Sequence, residues 1–182
     1  DELLRQARAV LDDRGITLPE PLIRMHPRHH PHGGGCPGSA SMKLHGAHAP
    51  ARLIADGGGA PSRLGQWPVQ LRLVNPAASY FDGADLLAAA DCTAFSRGDF
   101  HDRFLDGKIL LIFCPKLDHD PGEYVEKLAA IFTLHDIRSI TLVRMEVPCC
   151  GGLSAIVQEA LRQSGKSMIL REYVLTLRGE IA

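Results

Sequence analysis

The sequence lacks the features of a membrane protein and of a secreted protein. No apolar run among its 182 residues approaches the roughly 18 residues that span a bilayer. Residues 1–15 are charged and amphipathic, without the basic start and apolar centre of a secretory signal. The formal net charge is −1, which gives no reason to expect nucleic acid or an anionic membrane as a partner. We therefore expect a cytoplasmic protein with no membrane span that binds no nucleic acid.

The sequence also has no tight CxxC array and no internal repeat. It contains five cysteines, an odd number that disulfide pairing alone does not use up. In a reducing compartment these side chains stay as thiols. Their surroundings therefore decide whether each cysteine is a metal ligand or a small apolar side chain in the core.

The N-terminal part of the chain differs in composition from the rest. Apolar residues recur with the helical period from Leu3 to Leu11, so a helix is predicted there. From Met25 to Gly65 the sequence is rich in His, Gly, Pro and Ala, which is typical of a long loop. We expect residues 1–65 to form an N-terminal helix and a Gly/His/Pro-rich loop that carries Cys36, and residues 66–182 to form an α/β cluster-binding domain.

From Trp67 onward, segments with a strand pattern alternate with segments that have a helix pattern. Strands are predicted at Val69–Val74, Leu86–Ala90, Lys108–Phe113, Ser139–Val147 and Met168–Leu177. One helix is predicted around residues 125–132, after a Pro-Gly start, and a second around residues 153–161, with a glycine after its end. This alternation predicts an α/β fold with a mostly parallel sheet flanked by helices, a Rossmann-like or flavodoxin-like three-layer arrangement.

Four cysteines follow predicted strands at their carboxyl ends. Cys92 follows the second of these strands, Cys114 the third, and Cys149 and Cys150 the fourth. Because the carboxyl ends of parallel strands meet at the edge where such sheets bind ligands, we expect these thiols to be neighbours. Cys36 lies in the segment HGGGCPGS, whose glycines let the backbone approach a bulky ligand closely.

Thiols gathered at one edge suit an iron–sulfur cluster, because a 4Fe–4S cluster takes four thiolate ligands. The pair Cys149-Cys150 precedes two glycines and a predicted helix, whose N-terminus is expected to lower a cysteine pKa and to stabilise a bound anion. His32 is a weaker extra ligand candidate beside the Gly-rich turn, and the remaining histidines are interpreted as loop or surface residues. The candidate ligands are the five cysteines, Cys36, Cys92, Cys114, Cys149 and Cys150. Four of them are expected to bind the cluster, and the sequence leaves open which one is spare.

Two alternatives remain open at this point. Zinc accepts four cysteines, or three cysteines and one histidine. A metal-free thiol redox enzyme or sensor would instead use Cys149 and Cys150 as its reactive pair. The cluster hypothesis implies a redox partner protein, and it leaves the catalytic residues and the oligomeric state unknown. Asp91, Asp118 and Glu146 lie near the cysteines in sequence and are candidates for carrying protons or orienting ligands.

Several segments together resemble a known family. GGGCPGS, QWPVQLRLVNP, GADLLAAADC, CPKLD, YVEKL and VRMEVPCCGG are similar to segments of bacterial and archaeal proteins labelled 4Fe–4S ferredoxin-like or iron–sulfur cluster-binding. The resemblance covers roughly residues 64–182 and the HGGGCPGS segment. It implies a cluster-associated redox role, such as electron transfer, for the five cysteines. Many members of that family carry an N-terminal ferredoxin module with CxxCxxCxxxCP arrays, which this sequence does not contain.

Overall fold

A computed structural model of the chain describes residues 40–44, 61–118 and 120–182. All of these belong to one compact unit, which spans residues 35–182. The strands are β1 Met42–Lys43, β2 Gln66–Trp67, β3 Asp85–Ala90, β4 Ile109–Phe113, β5 Ser139–Met145 and β6 Ile169–Leu175. The α-helices are α1 Thr93–Ser96, α2 Pro121–Leu134 and α3 Gly151–Ser164. Shorter helical turns occupy Leu71–Leu73, Ser79–Phe81, His101–Leu105 and Pro148–Cys150.

The core of the molecule is a four-stranded parallel sheet in the order β4-β3-β5-β6. β3 and β4 read DLLAAA and ILLIF, continuous apolar runs that suit strands covered on both faces. From β3 the chain moves outward to β4, crosses back through α2 to β5, and continues outward to β6. The connections after β3 and β5 therefore leave in opposite directions, which makes the gap between these two strands the topological switch point.

Right-handed crossovers determine which face each connection covers. The connections through α2 and α3 run in the same direction across the sheet, so both helices lie on one face, where they pack against each other. The connection from β3 to β4 runs the other way and covers the opposite face with α1 and the turn His101–Leu105. Phe104 of that turn contacts the Tyr173 ring on β6, with the ring centroids 5.4 Å apart. The predicted three-layer α/β fold is therefore confirmed.

The two long helices have clear start and stop signals. Asp120 caps α2: its Oδ1 accepts hydrogen bonds from the backbone N–H groups of Gly122 at 2.9 Å and Glu123 at 3.3 Å. Pro121 occupies the first helical position, where no backbone donor is needed. α3 ends at Gly165, which adopts the left-handed conformation with φ of +65°.

A buried side chain extends the sheet beyond β4. Gln66 Nε2 donates to the Leu110 carbonyl oxygen at 2.6 Å, and the Leu110 N–H donates to Gln66 Oε1 at 3.3 Å. Gln70 then forms a parallel bridge with Ile112, so residues 66–70 run in the same direction as β4. β1 pairs antiparallel with β2. The chain that leads into Met42 therefore comes from the side of the sheet where the carboxyl ends lie.

Four of the five predicted strands are confirmed, with ends within two residues of the predictions. The prediction of a strand at Val69–Val74 is wrong, because residues 71–73 form a helical turn. The turn brings Leu71 and Val74, three positions apart, into the core together, and alternation along a strand would have separated them. The helix at Leu3–Leu11 and most of the loop at Met25–Gly65 lie outside the described residues, and the domain boundary after residue 65 stays a prediction. None of the helices in the described ranges is long and apolar enough to cross a membrane.

Candidate functional site

The structure brings four cysteines to the carboxyl edge of the sheet. Cys92 follows the end of β3, Cys114 directly follows β4, and Cys149 and Cys150 follow β5 through the turn that starts at Pro148. These three strands are neighbours in the sheet. Cys92 and Cys149 are exposed, Cys114 is half-buried and Cys150 is buried, and all four are free thiols. We call this region the cysteine edge. Two further predicted site residues, Cys36 and His32, lie outside the described residues.

Three of the thiols interact across the switch point. Burial raises the pKa of Cys150, and the nearby thiols of Cys149 and Cys92 raise it further, against a hydrogen bond to the Met145 backbone. These contributions show that Cys92, on the β3 side, lies within electrostatic reach of the pair on the β5 side. The pKa of Cys150 is therefore raised rather than lowered, with loss of solvent as the largest cause.

A tight turn positions Cys114. The Cys114 N–H donates to Asp118 Oδ2 at 2.8 Å, and the Asp118 N–H donates back to the Cys114 carbonyl oxygen at 3.0 Å. Pro115, inside the turn, lies directly over Gly152 at the start of α3, because a Cβ added to Gly152 would be 3.0 Å from the Pro115 Cβ. The glycine therefore lets the loop after β4 approach the helix that follows Cys150.

Alanine at Gly152 tests this close approach. We expect Gly152→Ala to be less stable by about 1–2 kcal/mol than Gly151→Ala, because the new methyl group overpacks against Pro115. Both substitutions gain similar helix propensity, and no described atom lies within 4 Å of a Cβ added at Gly151. Urea unfolding of the two variants measures the difference. Equal free energies of unfolding would show that the loop moves aside without cost.

The positive end of α3 faces this edge. The turn Pro148–Cys150 runs directly into α3, so the Cys150 N–H donates to the Val147 carbonyl oxygen at 3.0 Å and the Gly151 N–H donates to the Pro148 carbonyl oxygen. These two donors are therefore used within the turn, and the dipole of α3 is what favours a bound anion or thiolate here. A metal–thiolate centre is anionic, so the dipole matches the kind of group that cysteines would hold.

Two carboxylates and a tyrosine lie close together beside the cysteines. Asp91 Oδ1 is buried and has no hydrogen-bond partner among the described residues. Burial raises the pKa of Asp91, and the Asp118 carboxylate raises it further. Burial likewise raises the pKa of Tyr124, with Asp118 again adding to it. Sequence reasoning missed Tyr124; the available signal was its position in the first turn of α2, six residues after Asp118.

The remaining sequence candidates have structural roles or none. Glu146 Oε1 accepts a hydrogen bond from the Leu177 N–H at 2.8 Å and so joins the ends of β5 and β6. The expectation that His135 is a surface residue is wrong. It is buried, with Nδ1 2.5 Å from Asp82 Oδ1 and Nε2 2.8 Å from the Pro76 carbonyl oxygen. His135 precedes β5 and therefore lies at the opposite end of the sheet from the cysteine edge.

The donor set is not arranged around one point. Within residues 40–44, 61–118 and 120–182, no group of three or more His, Cys, Asp or Glu side chains is placed to hold a single metal ion. The four cysteines instead come from the ends of three strands. A single tetrahedral ion needs all its ligands about 2.0–2.3 Å from one centre.

Comparisons with known proteins agree with this fold. A family model described as a Rossmann-like domain matches residues 78–182. The chain is also similar to an uncharacterized protein of Archaeoglobus fulgidus, with 34% identity over 116 residues, which covers 64% of this chain and 81% of that protein. No solved structure matches. The residues that the family model matches, 78–182, include the four cysteines of the cysteine edge.

Proposed function

The chain belongs to the Rossmann-like domain family, and from that premise we propose that it binds a 4Fe–4S cluster at the cysteine edge and acts as a redox protein. Open parallel sheets bind ligands outside the carboxyl ends of their strands, at the switch point. Here thiols flank that position on both sides, Cys92 after β3 and Cys149 after β5. The observation that carries the proposal is that three adjacent strands are each followed by a cysteine within four residues, the third of these cysteines being Cys114 directly after β4.

The proposed ligands are Cys36, Cys92, Cys114 and Cys149, with Cys150 as the spare thiol. Cys150 is only 5% exposed and packs in the hydrophobic core, where it serves as a small apolar side chain. Cys36 precedes Ala40 by four residues, so the two Cα atoms are at most about 14 Å apart. The described chain enters β1 from the side of the carboxyl ends, and this direction supports the proposal that Cys36 is the fourth ligand.

The residues fit a cluster in their chemistry. Each thiolate of a 4Fe–4S centre binds a different iron, so ligands from three strand ends match it better than they match zinc. The positive end of the α3 dipole would offset part of the charge of the bound thiolates. When bound, a cluster supplies a one-electron carrier. The chain then holds the carrier, and the Cys114–Asp118 turn and Pro115 keep its surroundings fixed.

Exposed apolar side chains next to the cysteines support electron exchange with a partner protein. Phe95 is 93% exposed and lies three residues after Cys92. Leu117 is 72% exposed and lies three residues after Cys114. Large apolar side chains exposed near one site are typical of protein contact surfaces. We propose that a redox partner docks on this edge in a reducing compartment such as the cytoplasm.

Metal analysis of protein purified without oxygen tests the proposal. We expect roughly four iron and four sulfide per chain, with a broad visible band near about 400 nm. About one zinc per chain and no visible band would show that the protein binds zinc and would overturn the cluster proposal. Metal-free protein would overturn the proposal. It would favour a thiol redox function for the exposed Cys149 and its buried neighbour Cys150, which lie side by side at the start of α3.

A further inference from the structure

A second site lies on the sheet face covered by the β3–β4 connection. It is a cavity of about 220 Å³ lined by Arg103, Phe104, Lys108, Thr141, Arg171 and Tyr173. Three of the six residues are cations, and they come from three separate parts of the chain: the helical turn His101–Leu105, the residue before β4, and β6. We call it the cationic pocket. It is separate from the cysteine edge, because Thr141 lies four residues, roughly 13 Å, before the end of β5.

Strand geometry explains why these side chains meet. Arg171 and Tyr173 are two positions apart on β6, so they point to the same face of the sheet. Glu172, between them, points to the other face, where its Oε1 accepts a hydrogen bond from Ser154 of α3 at 2.8 Å. Thr141 is the direct neighbour of Arg171 in the parallel register of β5 and β6. The Thr141 side chain therefore lines the cationic pocket next to Arg171.

In the described ranges no carboxylate forms an ion pair with the three cations of the pocket, Arg103, Lys108 and Arg171, whereas arginines nearby are paired. Arg103 influences the carboxylate of Asp99 electrostatically, but both oxygens of that carboxylate are bound by Arg97. Lys108 influences the carboxylate of Asp85 electrostatically. Both oxygens of that carboxylate are already engaged, one by Arg138 at 2.5 Å and the other by Ser139 at 2.6 Å. Three unpaired cations around one cavity repel one another, and a bound anion would remove that repulsion.

We propose that the cationic pocket binds the phosphate dianion of a small phosphorylated ligand. Guanidinium groups donate two parallel hydrogen bonds to phosphate oxygens, and a lysine adds a point charge. Thr141 supplies a hydroxyl donor from a buried position. Phe104 and Tyr173, in edge contact with each other, form a firm apolar wall for the non-phosphate part of the ligand. The proposal rests on these residues alone and is independent of the cysteine edge.

Calorimetric titration of the full chain with inorganic phosphate, at constant ionic strength, tests the site. We expect saturable binding, at least tenfold weaker in Arg171→Gln and unchanged in Arg178→Gln. Arg178 is a matched control because it is also exposed and lies in the turn after β6. Arg171→Gln removes no ion pair or hydrogen bond of the described structure. It is therefore expected to keep its unfolding midpoint, or to raise it slightly at low salt.

Titrations with glycerol phosphate and with adenosine monophosphate separate the possible sources of the phosphate. Tighter binding of either ester than of inorganic phosphate identifies an organic phosphate as the ligand, and equal binding identifies the free ion; both support the site. No saturable binding of any of the three probes at millimolar concentration would overturn the proposal. Equal weakening in Arg171→Gln and Arg178→Gln would also overturn it, because it would show attraction to overall charge only.

Discussion

Replacing Gly179 by alanine is expected to lower the free energy of unfolding by about 3–4 kcal/mol. Gly179 has a φ of +81°, in the left-handed region that costs an alanine about 1–2 kcal/mol. A Cβ at this position would also lie 2.2 Å from the backbone oxygen of Ser96. The contact is with backbone, so it cannot be relieved by a side-chain rotation, and overpacking adds about 1–3 kcal/mol.

The turn around Gly179 cannot move away from Ser96 without losing hydrogen bonds. The Gly179 carbonyl oxygen accepts from Arg97 Nη1 at 2.8 Å, and its N–H donates to the Thr176 carbonyl oxygen at 2.9 Å. Leu175 and Ile181 close the same turn through an antiparallel bridge. The bond from Arg97 holds this turn against the segment that follows Cys92, and the other two keep the shape of the turn. The alanine variant is therefore expected to disturb the cysteine edge as well as the overall stability.

Gly165→Ala is the matched control for this substitution. Gly165 also has a positive φ, +65°, but a Cβ added there meets no atom within 4 Å in the described ranges. We expect it to lose about 1–2 kcal/mol from backbone conformation alone. Urea unfolding of both variants gives the two free energies. Equal losses would mean that the close contact between Gly179 and Ser96 carries no energetic cost.

Local patterns in the sequence were enough to predict the sheet. β3, β4, β5 and β6 are short apolar runs bounded by turn residues, and alternation with amphipathic helices implies parallel pairing. The one strand predicted wrongly, Val69–Val74, lies beyond the edge of the sheet. There the pairing depends on the buried Gln66 side chain bonded to the Leu110 backbone. Such a long-range bond between a side chain and the backbone leaves no local pattern for sequence reasoning to detect.

The fold was enough to predict which edge of the sheet carries the cysteines, but it did not predict the burial of each one. Parallel strands bring their ends together whatever the loops contain, so Cys92, Cys114 and Cys149 could be assigned to one edge from the sequence. The burial of Cys150 depends on how the turn at Pro148 enters α3. The cationic pocket has a similar origin, because Arg171 is far from Arg103 and Lys108 in sequence and meets them only once the sheet has formed.

Single alanine substitutions at the adjacent cysteines are expected to have opposite effects on metal content and stability. Under the proposed ligand set, we expect the iron content of Cys149→Ala purified without oxygen to fall from roughly four per chain to less than about one. Its metal-free form keeps the stability of metal-free wild type, because Cys149 is exposed. Cys150→Ala keeps its iron and loses about 1 kcal/mol of stability, because it leaves a small cavity in the core.

Two measurements on each variant make this comparison decisive: iron content after anaerobic purification, and urea unfolding of the metal-free chain. Loss of iron from Cys150→Ala, with the metal-free stability lowered by no more than about 1 kcal/mol and full iron content in Cys149→Ala, would make Cys150 a ligand and Cys149 the spare thiol. Full iron content in both variants would show that neither Cys149 nor Cys150 is a ligand of the cluster. Only Cys36, Cys92 and Cys114 would then remain among the proposed thiols, one fewer than the four that such a cluster takes. The cluster proposal would then fail for this edge, because the turn after β5 is what brings a cysteine to the β5 side of the switch point.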